Sequence, residues 1–157
     1  MQIKLIAIGK TDHKAINELI AEYSKRLNFY IKFEVEVIPD IKNTKSLSEA
    51  LQKEKEGELI LKKTIPSDDL ILLDERGKSY TSMDFSAFIQ KKMNAGLKQL
   101  IFVIGGPYGF SDAVYSRANG KLSISKMTFS HQMIRPFFIE QLYRGFTILR
   151  NEPYHHE

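Results

Sequence analysis

The sequence predicts an α/β fold with a mainly parallel sheet of about five strands and helices on both faces. Three observations carry that reading. Short apolar runs at residues 3–8, 70–73 and 100–104 recur along the chain and stop at glycine or polar residues; such runs suit strands buried on both faces, as parallel sheets require. Between them lie stretches with apolar residues at helical spacing, the alternation that builds βαβ units. Finally, 157 residues with 43% hydrophobic and 27% charged side chains make one globular domain able to bury roughly two-thirds of its unfolded surface.

Residues 3–8 form the first strand, ended by Gly9. After Asp12, Ile16, Leu19, Ile20, Tyr23 and Leu27 share one face of a helix. Phe33-Glu-Val-Glu-Val37 alternates strictly, which predicts a strand with one wet face toward a sheet edge. Pro39 ends it, and residues 40–45 form a polar loop. Ser46 and Glu49 have capping-box spacing and open a second helix with a thin apolar stripe through Leu47, Leu51 and Leu61. The charge-rich run 52–58 inside that helix reads as a solvated face.

Pro66-Ser-Asp-Asp turns into the third strand, residues 70–73, and 74–78 reads as a polar loop. Thr81 or Ser82 caps a third helix whose buried face holds Phe85, Phe88, Ile89 and Met93, and Gly96 lies where it terminates. Residues 100–104 are the fourth strand. Ser111 starts a short helix ending near Asn119-Gly120, and 122–125 is the fifth strand. From Ser130 onward Ile134, Phe138, Leu142, Tyr143, Phe146 and Leu149 recur at helical spacing. Pro136 removes an N–H there, so it either occupies the first turn or bends the helix.

Composition excludes several classes of chemistry. With no cysteine there is no disulfide, no thiolate nucleophile and no Cys-type zinc site. No apolar run approaches the roughly 20 residues that span a bilayer, and the N-terminus lacks a signal-peptide layout. The expectation is a cytoplasmic protein with no membrane partner. A net charge of +4 permits a polyanionic partner without demanding one.

The fourth strand stops abruptly at Gly105-Gly-Pro-Tyr-Gly109. Ligands of open α/β sheets lie just beyond the carboxyl ends of strands, and glycines there let backbone approach a ligand closely. A small molecule is expected at this turn; a plain strand-to-helix connection is the alternative. The turn lacks the Gly-Lys-Ser/Thr of a Walker A loop and the spacing of a dinucleotide fingerprint, and Pro107 removes an N–H that a phosphate would use.

Lys55-Glu-Gly-Glu58, Leu73-Asp74, Ile104-Gly-Gly-Pro-x-Gly109, Ile124-Ser-Lys-Met-Thr-Phe129, His131, Glu140-Gln-Leu-Tyr-Arg144 and the tail Pro153-Tyr-His155 occur in this order. With them the chain, from residue 1 to its tail, resembles the RlmH family. These are SPOUT-class methyltransferases that methylate N3 of a pseudouridine in helix 69 of large-subunit ribosomal RNA. The resemblance implies a single SPOUT domain over 1–157, a C-terminal trefoil knot, S-adenosyl-L-methionine as cofactor, a homodimer, and the ribosome or its RNA as partner. It places cofactor contacts on Leu73, Gly105 and Ile124, Ser125, Lys126, Met127, Thr128 and Phe129. The chain departs from the family's usual pattern at Ser130, Pro136 and His156.

Leu73, Gly105 and Ile124 each end a strand in the independent reading, where an α/β sheet puts its ligand. Leu73, Ile124, Met127 and Phe129 supply apolar walls. Tyr154 and His155 are the candidates for contacting or deprotonating the base, and His131, just after the cofactor segment, is either a third or a helix-start histidine satisfied by backbone. Arg135, Lys126 and Arg117 are the candidates for phosphate contacts. Arg144 either joins them or pairs with Glu140 at i,i+4. No metal is expected: a methyl on a sulfonium centre is already activated, and the adjacent His155 and His156 do not converge on an ion. A chain this small has no separate RNA-binding domain, so the RNA site is expected to span two subunits with the final helix between them. Methylation of a ribose 2′-hydroxyl or another base nitrogen, or a ribosome-assembly role without turnover, are the competing readings.

Overall fold

Alternate side chains of a strand point to opposite faces of its sheet, and the apolar runs here use both. A computed structural model describes residues 1–156. It shows β1 (Gln2–Ile8), α1 (Lys14–Leu27), β2 (Lys32–Ile38), α2 (Glu49–Leu61), β3 (Asp69–Ser79), α3 (Ser82–Asn94), β4 (Gln99–Ile104), α4 (Asp112–Arg117), β5 (Gly120–Ser123) and α5 (Ile134–Leu149). The five strands lie in the order β2-β1-β4-β3-β5, every neighbouring pair parallel.

Ile3, Leu5 and Ala7 of β1, Leu100, Phe102 and Ile104 of β4, and Ile71 of β3 face α1, α3 and α5. Phe102 and Phe138 meet there with ring centroids 4.7 Å apart. Ile6, Ile8, Ile101, Val103, Leu70 and Leu72 form a second cluster with Ile60 of α2 and Val114 of α4. The sheet is thus covered on both faces, as the apolar runs of β3 and β4 demand. β2 is an edge strand whose acidic face is neutralised from neighbouring elements: Lys4 lies 3.0 Å from both Glu34 and Glu36, and Lys63 lies 2.7 Å from Glu36.

Several local expectations need correction. Ser46 ends a short 3-10 turn, and the cap of α2 is Ser48, whose hydroxyl accepts from the Leu51 N–H because the intervening Leu47 is extended. The run 52–58 is not a solvated face: Glu56 and Gly57 are buried, and Ile60 rather than Leu51 carries the apolar contact. Residues 74–78 belong to β3, which bulges after Leu73 and rejoins β5 at Lys78 opposite Leu122. β5 itself ends at Ser123. Helix α5 starts at Ile134 rather than Ser130, and Pro136 occupies its first turn, where an N–H has no intrahelical acceptor to lose.

Candidate functional site

A cavity of about 880 Å³ opens at the bulge of β3 and the carboxyl ends of β4 and β5, a volume typical of small-molecule sites. Leu73, Gly105 and Ile124 all line it. The sheet register explains why. The β3–β4 ladder ends at Leu73 opposite Ile104, where β3 bulges and β4 turns away, leaving a hollow that β5 borders.

The floor is the turn 105–110. Gly109 has φ +80°, which favours glycine, and its N–H donates to the Gly106 carbonyl at 3.2 Å. A Cβ on Gly105 would lie 3.0 Å from the Phe110 ring, and one on Gly106 would lie 2.3 Å from Glu56 Oε2. The opposite wall is the segment after β5. Ser123 donates to the Ser125 carbonyl at 2.9 Å, and the Met127 N–H donates to Ser125 Oγ at 2.9 Å, which curls the chain over the hollow. Ser125, Met127, Thr128, Phe129 and His131 lie along this wall; Lys126 is exposed and does not line the cavity. Met127 is 77% exposed and Phe129 41%, the latter packed on Phe137 with ring centroids 5.3 Å apart.

The β3 bulge places Asp74 at the cavity, with its side chain only 6% exposed. Burial opposes its ionisation. The Tyr115 hydroxyl at 2.5 Å, the Arg76 N–H at 2.8 Å and the charges of Arg76 and Lys121 outweigh that and hold its pKa below the usual carboxylate range. Burial and the Asp74 bond push the Tyr115 phenol up in turn. Glu49 and Lys53 of α2 and Arg76 complete a mixed-charge rim. Asp74 adjoins Leu73 in the Leu-Asp pair of the sequence, whereas no local pattern marks Tyr115, Glu49 or Lys53 as cavity residues.

Tyr154 and His155 lie elsewhere: neither lines the cavity of their own chain. The tail folds back along α1 and α5. The Tyr154 hydroxyl donates to Glu140 Oε1 at 3.0 Å and lies 3.3 Å from the Tyr23 hydroxyl, and its ring meets Tyr143 edge-on at 4.8 Å. Burial first, then the bonds to Tyr23 and Glu140, raise the Tyr154 pKa well above that of a free phenol. Arg144 donates to Glu140 at 2.6 Å, approaches His155 Nδ1 at 3.5 Å and stacks its guanidinium 4.7 Å from the Tyr154 ring centroid. The i,i+4 ion pair is therefore formed, within a cluster that also holds the tail.

Two phosphate candidates are already spent. Arg135 is 1% exposed and donates to the carbonyls of Ile8 and His131 and to Thr11 Oγ1. Arg117 donates to the carbonyls of Ile65 and Asp68 and to Asn119 Oδ1, locking the turn before β3. A guanidinium whose N–H groups are taken by carbonyls has little left for a phosphate, and both Arg135 and Arg117 make such bonds within the chain. Among the described residues no three His, Asp or Glu converge to hold a metal, and no helix is long and apolar enough to cross a membrane.

A family model described as predicted SPOUT methyltransferase matches residues 1–155. The chain is 69% identical to the ribosomal RNA large subunit methyltransferase H of Flavobacterium johnsoniae over 157 residues, 100% of both chains. It is 66% identical to the protein of the same name from Parabacteroides distasonis, again over 100% of both. Among solved structures, the SpoU methyltransferase AviRb from Streptomyces viridochromogenes in complex with the cofactor AdoMet aligns over 96% of this chain and 59% of its own. Its identity is 13% and its TM-score 0.46.

Proposed function

The chain belongs to the SPOUT methyltransferases, in the family of ribosomal RNA large subunit methyltransferase H, and from that premise we propose that it methylates N3 of a pseudouridine in helix 69 of large-subunit ribosomal RNA, using S-adenosyl-L-methionine. The observation that carries the reading is the meeting of Leu73, at the β3 bulge, with Gly105 and Ile124, just past the ends of β4 and β5, in one cavity. The lining suits the cofactor: backbone and apolar side chains for adenine and the methionine stem, with the ionised Asp74 favouring positive charge. The turn 105–109 offers no lysine for a triphosphate.

S-adenosyl-L-methionine, held by Leu73, Gly105 and Ile124, would supply an activated methyl and leave as its demethylated thioether, and the N3 proton would pass to the imidazole of His155. The chain's residues must hold a base, taken out of its stack, in line with that methyl. Phe129 and Tyr108, exposed at the cavity wall, offer aromatic faces for it. Tyr154, held as a neutral phenol by its partners, contacts the base rather than deprotonating it.

Because Tyr154 and His155 do not line their own chain's cavity, the working unit is a homodimer in which the tail of one subunit serves the cavity of the other. The exposed apolar side chains Met127, Phe129, Met133 and Phe137 beside the cavity support a second copy there. The C-terminal trefoil knot is part of the same proposal. Titration calorimetry with S-adenosyl-L-methionine, followed by transfer of radiolabelled methyl to ribosomes from a strain lacking the enzyme, tests it. Mapping the label to pseudouridine N3 is the expected result. A label on a ribose, or a cavity that leaves the cofactor unbound, would reject the assignment.

A further inference from the structure

Glu56 is charged in the sequence yet only 3% exposed. Its helix presses it inward because Gly57 allows close packing: a Cβ on Gly57 would lie 2.3 Å from Ser111 Oγ and 3.1 Å from Val114 Cγ2. The Glu56 carboxyl lies over the α-carbon of Gly106, where an added Cβ would sit 2.3 Å from Oε2 and 2.9 Å from Oε1. Gln52 Nε2 donates to Oε1 at 2.9 Å; Oε2 is buried and accepts from no donor.

An ionised oxygen buried in that way is costly, whereas a protonated one carries an O–H that needs an acceptor. The backbone against it is the glycine turn. Glu56 itself does not line the cavity, but the turn 105–110 does on one side and Glu49, Ala50 and Lys53 of its own helix do on the other. The carboxyl thus sits behind the joint of two walls.

We propose that Glu56 is a positioning residue for the cofactor: as the neutral acid it fastens α2 to the glycine turn, donating its Oε2 proton to a carbonyl of residues 105–109. The proposal rests on the cofactor reading given above. Burial raises the Glu56 pKa above the usual carboxylate range, Gln52 works against that, and Asp40 beyond β2 adds to it. The glycine turn faces the carboxyl with backbone at Gly106, and the charge acting on it from another element is that of Asp40. The fastening is therefore complete at low pH and loosens as pH rises through the folded-state pKa.

Amide hydrogen exchange of residues 105–110, corrected for intrinsic rates, and calorimetric cofactor affinity are measured on the full chain across pH, for the wild type, Glu56→Gln and Glu56→Ala. Glu56→Ala is expected to lose about tenfold in turn protection and in affinity, the size of one hydrogen bond, with turnover at saturating cofactor changed less than about twofold. Glu56→Gln, which keeps an N–H donor in place, restores both and flattens the pH dependence seen in the wild type. Equal protection in Glu56→Ala and the wild type overturns the proposal. So does a Glu56→Gln profile that retains the wild-type slope, which decides the matter even if Glu56→Ala does not fold. A wild type that protects the turn but leaves S-adenosyl-L-methionine unbound sinks the cofactor reading instead.

Discussion

Arg135 Nη2 donates to the carbonyl of Ile8 at 2.6 Å, joining the first turn of the last helix to the end of the first strand across 127 positions of sequence. Burial lowers the guanidinium pKa, and Asp40 and Asp12 counter it. Its role is structural. Arg135→Ala should cost about 2–4 kcal/mol, since it strands buried carbonyl acceptors. Urea unfolding should show a lower midpoint at unchanged slope. RNA affinity of the folded fraction should keep its salt dependence, because no phosphate contact is lost.

Tyr154→Phe removes the hydroxyl bound to Glu140 and Tyr23 and should cost about 1 kcal/mol at neutral pH. The sign of its pH dependence follows from a phenol whose folded pKa lies above its unfolded value: the stabilisation is whole below the ordinary phenol pKa and disappears as pH rises through the folded one. Melting curves of the wild type and Tyr154→Phe should therefore differ at neutral pH and converge in strong alkali. A constant difference at every pH would contradict the bond.

Asp74→Asn should behave oppositely. The carboxylate is depressed below its ordinary range, so its contribution exists above that range and fades as pH falls through the folded pKa. The variant should be less stable than the wild type at neutral pH by about 1.5–3 kcal/mol, as for a hydrogen bond to a charged group, and equal to it in acid. Cofactor affinity should fall as well, read by calorimetry.

Gly106→Ala brings a Cβ into the Glu56 carboxyl and should destabilise by about 1–3 kcal/mol through overpacking. Adding Glu56→Ala makes room, so the double variant should be more stable than the sum of the two single changes predicts. Thermal denaturation of the four chains closes the cycle. Strict additivity would show that the two residues do not touch.

Removing the chain from Pro153 onward should abolish methyl transfer while leaving cofactor affinity within about twofold, because the tail residues stand apart from their own cavity. Mixing the truncated chain with a cavity-defective Gly105→Trp chain should restore activity if the tail acts on its partner. Failure to complement would place the tail's action within one subunit.

Much of the fold was legible because parallel strands announce themselves locally. Residues 100–104 are apolar without a break and are buried throughout, and Leu73, Gly105 and Ile124 mark turns that the register brings together. What escaped was long-range. No spacing rule shows that Arg117 is consumed by carbonyls at residues 65 and 68, or Arg135 by Ile8. Glu56 sits in a run of charges and looks solvated until Gly57 is seen to let its helix close on Ser111. The strand beyond Leu73 was missed because Asp-Glu-Arg-Gly-Lys has strand partners only through the bulge opposite β5. Tyr154 was placed at the cavity by likeness, but within one chain its hydrogen bonds hold it against α1 and α5.

Helix α5 follows all five strands in the chain and supplies Phe138, Ile139, Leu142 and Phe146 to the core shared by β1, β4 and α3. Until it docks, only α1 and α3 cover that face of the sheet, so a polypeptide interrupted before Ile134 exposes apolar surface that chaperones or proteases must handle.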